Sequence, residues 1–325
     1  MYIKVTKYKH VKRLYFDGKK QIETLQATNA SLQDSIAGLQ DAVANQRMSQ
    51  SRTALDDNEY ATRFTRLNGA IKDLSFNIRK DWKTVPPWVE PVLSAEALKT
   101  AKQEMTAVGR AVISRWIFEE IFNKTFHPGL DPQLSAQLKD IERGIRGNTH
   151  TLSRQEEFEA LTNKIVNWRM ATLDGLQRRL DVNTTTENRT LLVTKATTNL
   201  AAFLQQYNAT PSASIEGSFS TIIEIAVGIS ANLPLESRDV AITYPLPGDI
   251  IRPELMEVDK AALPSLGDDS DDEEEEDEKH SKLNDAEAQN VDANDVTDGK
   301  LRFAGFMTLE VRGRQVLMKA PVWPM

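Results

Sequence analysis

From Ile22 to Val43 the apolar residues recur alternately three and four apart: Ile22, Leu25, Leu32, Ile36, Leu39 and Val43, with Asn29 filling the one gap. This is a heptad stripe. Ile22, Asn29, Ile36 and Val43 take the a positions and Leu25, Leu32 and Leu39 the d positions; β-branched residues at a with leucine at d favour two parallel strands. The lone Asn29 at a would fix the register. The flanking e and g residues, Gln26, Thr28, Gln33, Ser35, Gln40 and Ala42, carry no charge, so partner choice cannot come from salt bridges across the seam. Beyond Val43 the stripe fades into Gln46 and Gln50. About three heptads predict a weak homodimer, because a short helix gains little until it packs. The alternative is an amphipathic helix folded against its own domain.

After a polar joint at 50–57, apolar residues resume at Tyr60, Phe64, Leu67, Ile71, Leu74, Ile78 and Trp82. They predict a helix that ends at Val85-Pro86-Pro87, since proline lacks the amide donor and pushes its predecessor out of the α region. A second helix is predicted from about Ser94 to Asn123, with Met105, Val108, Val112, Trp116, Ile117 and Ile121 inward. A third follows Asp131 on Leu134, Leu138, Ile141 and Ile145. A fourth, from Ser153 to Asp181, opens on Ser153-Arg154-Gln155-Glu156, a capping box in which hydroxyl and carboxyl satisfy each other's orphan amides. Its buried side is Phe158, Leu161, Ile165, Trp168, Leu173, Leu176 and Leu180. Two more helices, near 187–208 and 212–231, complete a multi-helix bundle over 58–233.

Prolines then punctuate an extended segment, 234–265, in which Val240, Ile242 and Tyr244 alternate as one short strand. Residues 266–298 are acidic, Asn-rich and poor in large apolar groups, a composition that cannot offset its ordering entropy and predicts a disordered insertion. Over 299–325 a C-terminal β-hairpin is predicted: Leu301, Phe303, Gly305, Met307, Leu309 and Val311 on one arm, Arg312-Gly313-Arg314 as the turn, then Val316, Met318 and Ala320. With the strand near 239–244 it could form a small antiparallel sheet. The fold class is therefore mainly α, with an N-terminal coiled coil over 21–50 and a small antiparallel β element interrupted by the acidic loop.

Charge is segregated along the chain. The net charge is −7, but Asp268 to Glu278 contain ten acids and no base, leaving the rest at +3. The basic leader, residues 1–20, holds seven Lys or Arg against one Asp. With Tyr2, Tyr8, Tyr15 and Phe16 interleaved, it could track phosphates of nucleic acid or lie on acidic lipid; a solvated leader is the favoured reading. The acidic run could attract basic partners or serve as a soluble spacer, and Ser270 before Asp271-Asp272-Glu273 is a candidate phosphorylation site.

The chain has no cysteine. That excludes disulfides, thiol nucleophiles and thiolate metal sites, and a reducing compartment follows: the cytoplasm, with the nucleus as alternative. The five Asn-x-Ser/Thr sequons lack an apolar signal core ahead of them and read as chance matches. No window is an uninterrupted membrane-length apolar run, and the best, from Ile222 to Leu235, carries Glu224 and reads as a core helix. The chain contains no Gly-rich phosphate loop and no Gly-x-Ser-x-Gly elbow. His10, His127, His150 and His280 lie far apart, with His127 read as a helix-end residue, and adjacent Glu119 and Glu120 read as a solvated helix edge. No catalytic, cofactor or metal residue is assigned. Trp82, Trp88, Trp116 and Trp168 are a candidate ligand groove, weighed against ordinary core packing.

The strings FNIRKDWKTVPPW, EMTAVGRAVISRWIFEEIFNKTFHPGLDP, NLPLESRDV and VRGRQVLMKAPVW resemble a protein family of filamentous fungi with an N-terminal coiled coil and a helical domain. The resemblance spans most of 58–322 and implies an intracellular fungal setting. The family has no established activity, so no functional residue is carried over. The expected function is a non-enzymatic scaffold or adaptor that dimerises through its coiled coil and binds an unidentified protein partner through its bundle. The alternatives are a nuclear or polyanion-related binder using the leader and acidic loop, and an enzyme with an unrecognised site.

Overall fold

A computed structural model of the protein describes residues 12–33, 35–36, 54–100, 103–147, 155–208, 213–261, 263–264, 266 and 299–325. It divides into two compact units, Met1–Arg52 and Thr53–Met325. In the first, helix α1 runs over 12–33 and continues at 35–36. Part of the basic leader is therefore helical and continuous with the heptad stripe, so the boundary expected at residue 20 is not a structural one. Leu39 and Val43 lie outside the described residues, as do Ser270 and the rest of the acidic run.

In the second unit Asp56 caps helix α2 (Asp57–Ile78), its carboxylate accepting from the Glu59 amide at 2.7 Å. That contact satisfies one of the orphan donors of the first turn. Tyr60, Phe64, Leu67, Ile71, Leu74 and Ile78 bury one continuous stripe. The helix stops before Trp82, earlier than the prolines require; Trp82 instead makes an isolated bridge with Asn208, while the Lys83 amide donates to Tyr207 O at 2.8 Å.

The predicted helix over 94–123 is described at 97–100 and from 103 onward, and its last turn is not α-helical. It comprises α3 (Ala97–Thr100), α4 (Gln103–Ile117) and a π turn at Phe118–Phe122, closed by the Asn123 amide on Phe118 O at 2.8 Å. Helix α5 (Pro132–Gly147) begins as expected, with Asp131 Oδ1 accepting from the amides of Gln133 and Leu134, both at 3.1 Å. Its inner face is rotated from expectation: Ile141 is 50% exposed and Glu142 is buried. Helix α6 (Gln155–Gly175) follows; Ser153 and Arg154 of the capping box are outside the described residues. Asp181 caps α7 (Val182–Gln205), which starts five residues before the predicted point, and α8 (Ala213–Ser230) closes the bundle.

Gly217–Leu235 is the one stretch among the described residues with the length and mean hydropathy, 1.3, of a membrane span. Phe219, Ile222, Ile223, Ala226 and Val227 are buried in the core shared with α2 and α7, and the exposed positions include Thr221 and Glu224. It packs as a core helix.

The β element has more strands than expected. β1 (Val240–Thr243), β4 (Thr308–Val311) and β5 (Gln315–Met318) form one antiparallel sheet in the order β1-β4-β5. The predicted turn is there, with Gly313 at φ 72°, a left-handed value that glycine adopts freely. A second sheet, β2-β6-β3, pairs β2 (Met256–Val258) parallel and β3 (Leu301–Ala304) antiparallel with β6 (Ala320–Pro324). Each predicted hairpin arm is thus two strands in two sheets. The first arm breaks at Gly305, where a Cβ would stand 2.9 Å from the Trp323 ring and the carbonyl accepts from Ser114 Oγ at 3.0 Å. Phe303, Phe306, Leu309 and Val322 join the helical core, with Phe306 meeting Phe64 edge-on at 5.9 Å.

Candidate functional site

On α1 the seam residues stand out of any core: Ile22 is 57% exposed, Leu25 68%, Leu32 58% and Ile36 54%. No described residue from 12 to 36 is buried. The polar faces hold the helix locally, Thr24 and Thr28 hydroxyls donating to the carbonyls four residues back at 2.7 and 2.8 Å. The structure therefore places Ile22, Leu25, Asn29, Leu32 and Ile36 on one helix without covering them. Lys12, Arg13, Lys19 and Lys20 share that helix and are exposed.

The four tryptophans pack into cores, three with the main one and Trp168 with a smaller one. Trp82 is in the main core, Trp88 packs against that core beneath Arg115 (4.5 Å from its ring), and Trp168 meets Phe126 in a separate small cluster. Trp116, also in the main core, borders a cleft of about 320 Å³ between the π turn and α7. His127 also borders it. Its Nδ1 accepts from the Gly129 amide at 3.0 Å, and burial pushes its pKa down to about 4, so at neutral pH it is an uncharged acceptor that shapes the turn into α5. Glu119 and Glu120 pair with Arg115 and Lys124 at the surface, at 2.7 and 2.6 Å.

Sequence reasoning missed a buried ion cluster. Arg146 holds Asp239 in a bidentate pair at 2.8 and 2.7 Å, and its Nη2 reaches Glu142 at 3.1 Å. Lys139 donates to the other Glu142 oxygen at 3.0 Å. Behind them Arg169, 2% exposed, donates from Nη2 to the carbonyls of Glu236 and Arg238 at 3.1 and 3.0 Å. The cluster continues through Glu236, which accepts from Tyr60 Oη at 2.9 Å and pairs with Arg238 at 3.2 Å; Arg238 also pairs with Asp57. The segment 236–239 is thereby locked to α2, α5 and α6. Burial raises the Glu142 and Asp239 carboxyls, but the cations beside them outweigh it and hold both below their ordinary values. A signal for the cluster was present: Arg169 lies four residues from both Ile165 and Leu173, on the apolar stripe of α6.

Beside this cluster is a cavity of about 220 Å³. Its walls are Phe118 and Phe122 of the π turn, the cationic side of α5, Arg169 of α6, and the whole of β1. Among the described residues no three His, Asp or Glu side chains are grouped to hold a metal ion. No protein-family model matches this chain, and no curated protein or solved structure is significantly similar to it.

Proposed function

We propose that the protein is a non-enzymatic scaffold that self-associates through α1, pairing with a second copy, and presents partner-binding surfaces on its helical body. The observation that carries the reading is the uncovered seam of α1, four large aliphatic side chains more than half exposed on one heptad stripe. A second copy fits it because the stripe is self-complementary: β-branched residues at a, leucine at d, and Asn29 able to pair with its own counterpart. Pairing buries these side chains from both copies, each contributing about 1.5–3 kcal/mol when fully covered. Association costs about 4–15 kcal/mol in lost translational and rotational freedom. The two are of the same order, so the expected dimer is weak.

Light scattering of the full chain at tens of micromolar tests this. The wild type is expected to show twice the chain mass of 36.5 kDa. The double variant Leu25→Asp, Leu32→Asp is expected to show single chains while the melting temperature of the body is unchanged. Single chains for the wild type would contradict the reading.

A further inference from the structure

We infer that the cavity between the π turn, α5, α6 and β1 binds a small organic oxyanion, its anionic group held by Arg169 and Arg312 and its apolar part lying against Phe118 and Phe122.

Charge comes first. Five cations border the cavity, Lys139, Arg143, Arg146, Arg169 and Arg312, against one carboxylate, Glu142. Arg143 has a surface partner of its own, Asp140 at 3.3 Å. Lys139, Arg146 and Arg169 all meet Glu142 or the fully buried Asp239 behind it. Arg146 and Lys139 take the short contacts. Arg169 is left with Nη1 no nearer than 3.7 Å to a carboxylate and with Nε lacking any acceptor. Arg312 has Glu310 at 3.7 Å as its ion pair among the described residues. Arg169 and Arg312 both border the cavity, and theirs are the long carboxylate contacts of the network, at 3.7 to 3.9 Å. Burial and neighbouring Arg146 both disfavour the charged form of Arg312, a penalty that a bound anion would relieve.

Backbone geometry adds a second, independent observation. The π turn Phe118–Phe122 puts Phe118, Phe122 and Asn123 on the cavity wall, and such one-turn insertions recur at functional sites. Opposite it, β1 is an edge strand, so one of its sides presents backbone groups that no strand pairs. The cavity thus offers cationic side chains and the two phenylalanines of the π turn. Its size sets the ligand class: at roughly 30 Å³ per water it holds about seven waters, below the roughly 300–1,000 Å³ of sites for drug-sized molecules. One ring bearing a phosphate or carboxylate fits that volume.

The test is titration of the full chain with phenyl phosphate, benzoate, benzyl alcohol and benzylamine, following binding heat and melting temperature. At least one of the two anions is expected to saturate and raise the melting temperature, the tighter of the two identifying the head group, with no response to the alcohol or the amine. Removing Arg169 would leave Glu142 and Asp239 short of a cation and endanger folding, so Arg312→Gln is the informative variant. It is expected to weaken anion binding about tenfold, the effect of one charge-assisted hydrogen bond, with the unliganded melting temperature unchanged. Should that variant fold poorly, Arg312→Lys, which keeps the charge but loses the planar guanidinium fork, is expected to weaken anion binding as well. No saturation by either anion at about 10 mM, equal binding of the alcohol or the amine, or full affinity in the folded arginine variants would each overturn the inference.

Discussion

Replacing Asp239 with alanine is expected to lower the stability of the helical body by about 3–5 kcal/mol, the cost of breaking a buried ion pair from one side. Its side chain is fully buried and takes both Arg146 nitrogens, with Arg169 at 3.7 Å. Alanine would remove the carboxylate that these two guanidinium groups share. It would also free the 236–239 segment, through which α2, α5 and α6 are tied to β1. The matched control is Asp140→Ala. That carboxylate pairs with Arg143 on the surface, its own side chain 73% exposed, and exposed pairs contribute about 0–1 kcal/mol. Urea unfolding of the two variants should therefore separate widely; similar midpoints would mean that the buried cluster contributes little.

Acidification is expected to weaken the fold in two stages. His127 has its folded pKa lowered by burial from 6.5 to about 4. Between those values the unfolded chain binds a proton that the native state refuses, so stability falls as the pH drops through this window. The contribution is complete above 6.5 and gone below 4. At 1.36 kcal/mol per pKa unit it amounts to about 3 kcal/mol. Protonation would also remove the lone pair that accepts the Gly129 amide. Below this, Glu142 and Asp239 come into play: their folded values lie beneath the ordinary 4.5 and 3.8, so they stabilise above those values and lose that effect as the pH falls further. Unfolding midpoints from pH 8 to pH 3 should show both stages in the wild type, and only the lower one in His127→Gln. A variant that tracks the wild type between pH 6.5 and 4 would assign the first stage elsewhere.

The sequence was legible wherever periodicity ran long and local signals agreed. The α2 stripe from Tyr60 to Ile78, the Asp131 start of α5, and the turn at Gly313 all rest on neighbours within a few residues. It was not legible where a distant partner decided. β2 is a three-residue strand whose parallel partner is β6, and Gly305 breaks an alternating arm because Trp323 comes from eighteen residues away. The rotation of α5 has the same origin. Glu142 turns inward, and Ile141 outward, because Lys139 and Arg146 on the same helix and Arg169 on the next meet it there. The cavity is assembled from five separated segments, and no local spacing announces it. Arg169, set between Ile165 and Leu173, was the one readable clue: a charged residue on an apolar stripe needs partners, and those partners mark the site.

Because the chain has no cysteine, single thiols can report directly on whether α1 pairs with a second copy. Asn29→Cys puts one at an a position in the seam, and Ala27→Cys puts one at f, on the outer face of the same turn. Mild oxidation of the full-length variants, read as covalent dimer against monomer, is expected to cross-link Asn29→Cys rapidly and to leave Ala27→Cys as single chains. Equal cross-linking at both positions, or none at either, would contradict self-association through this helix.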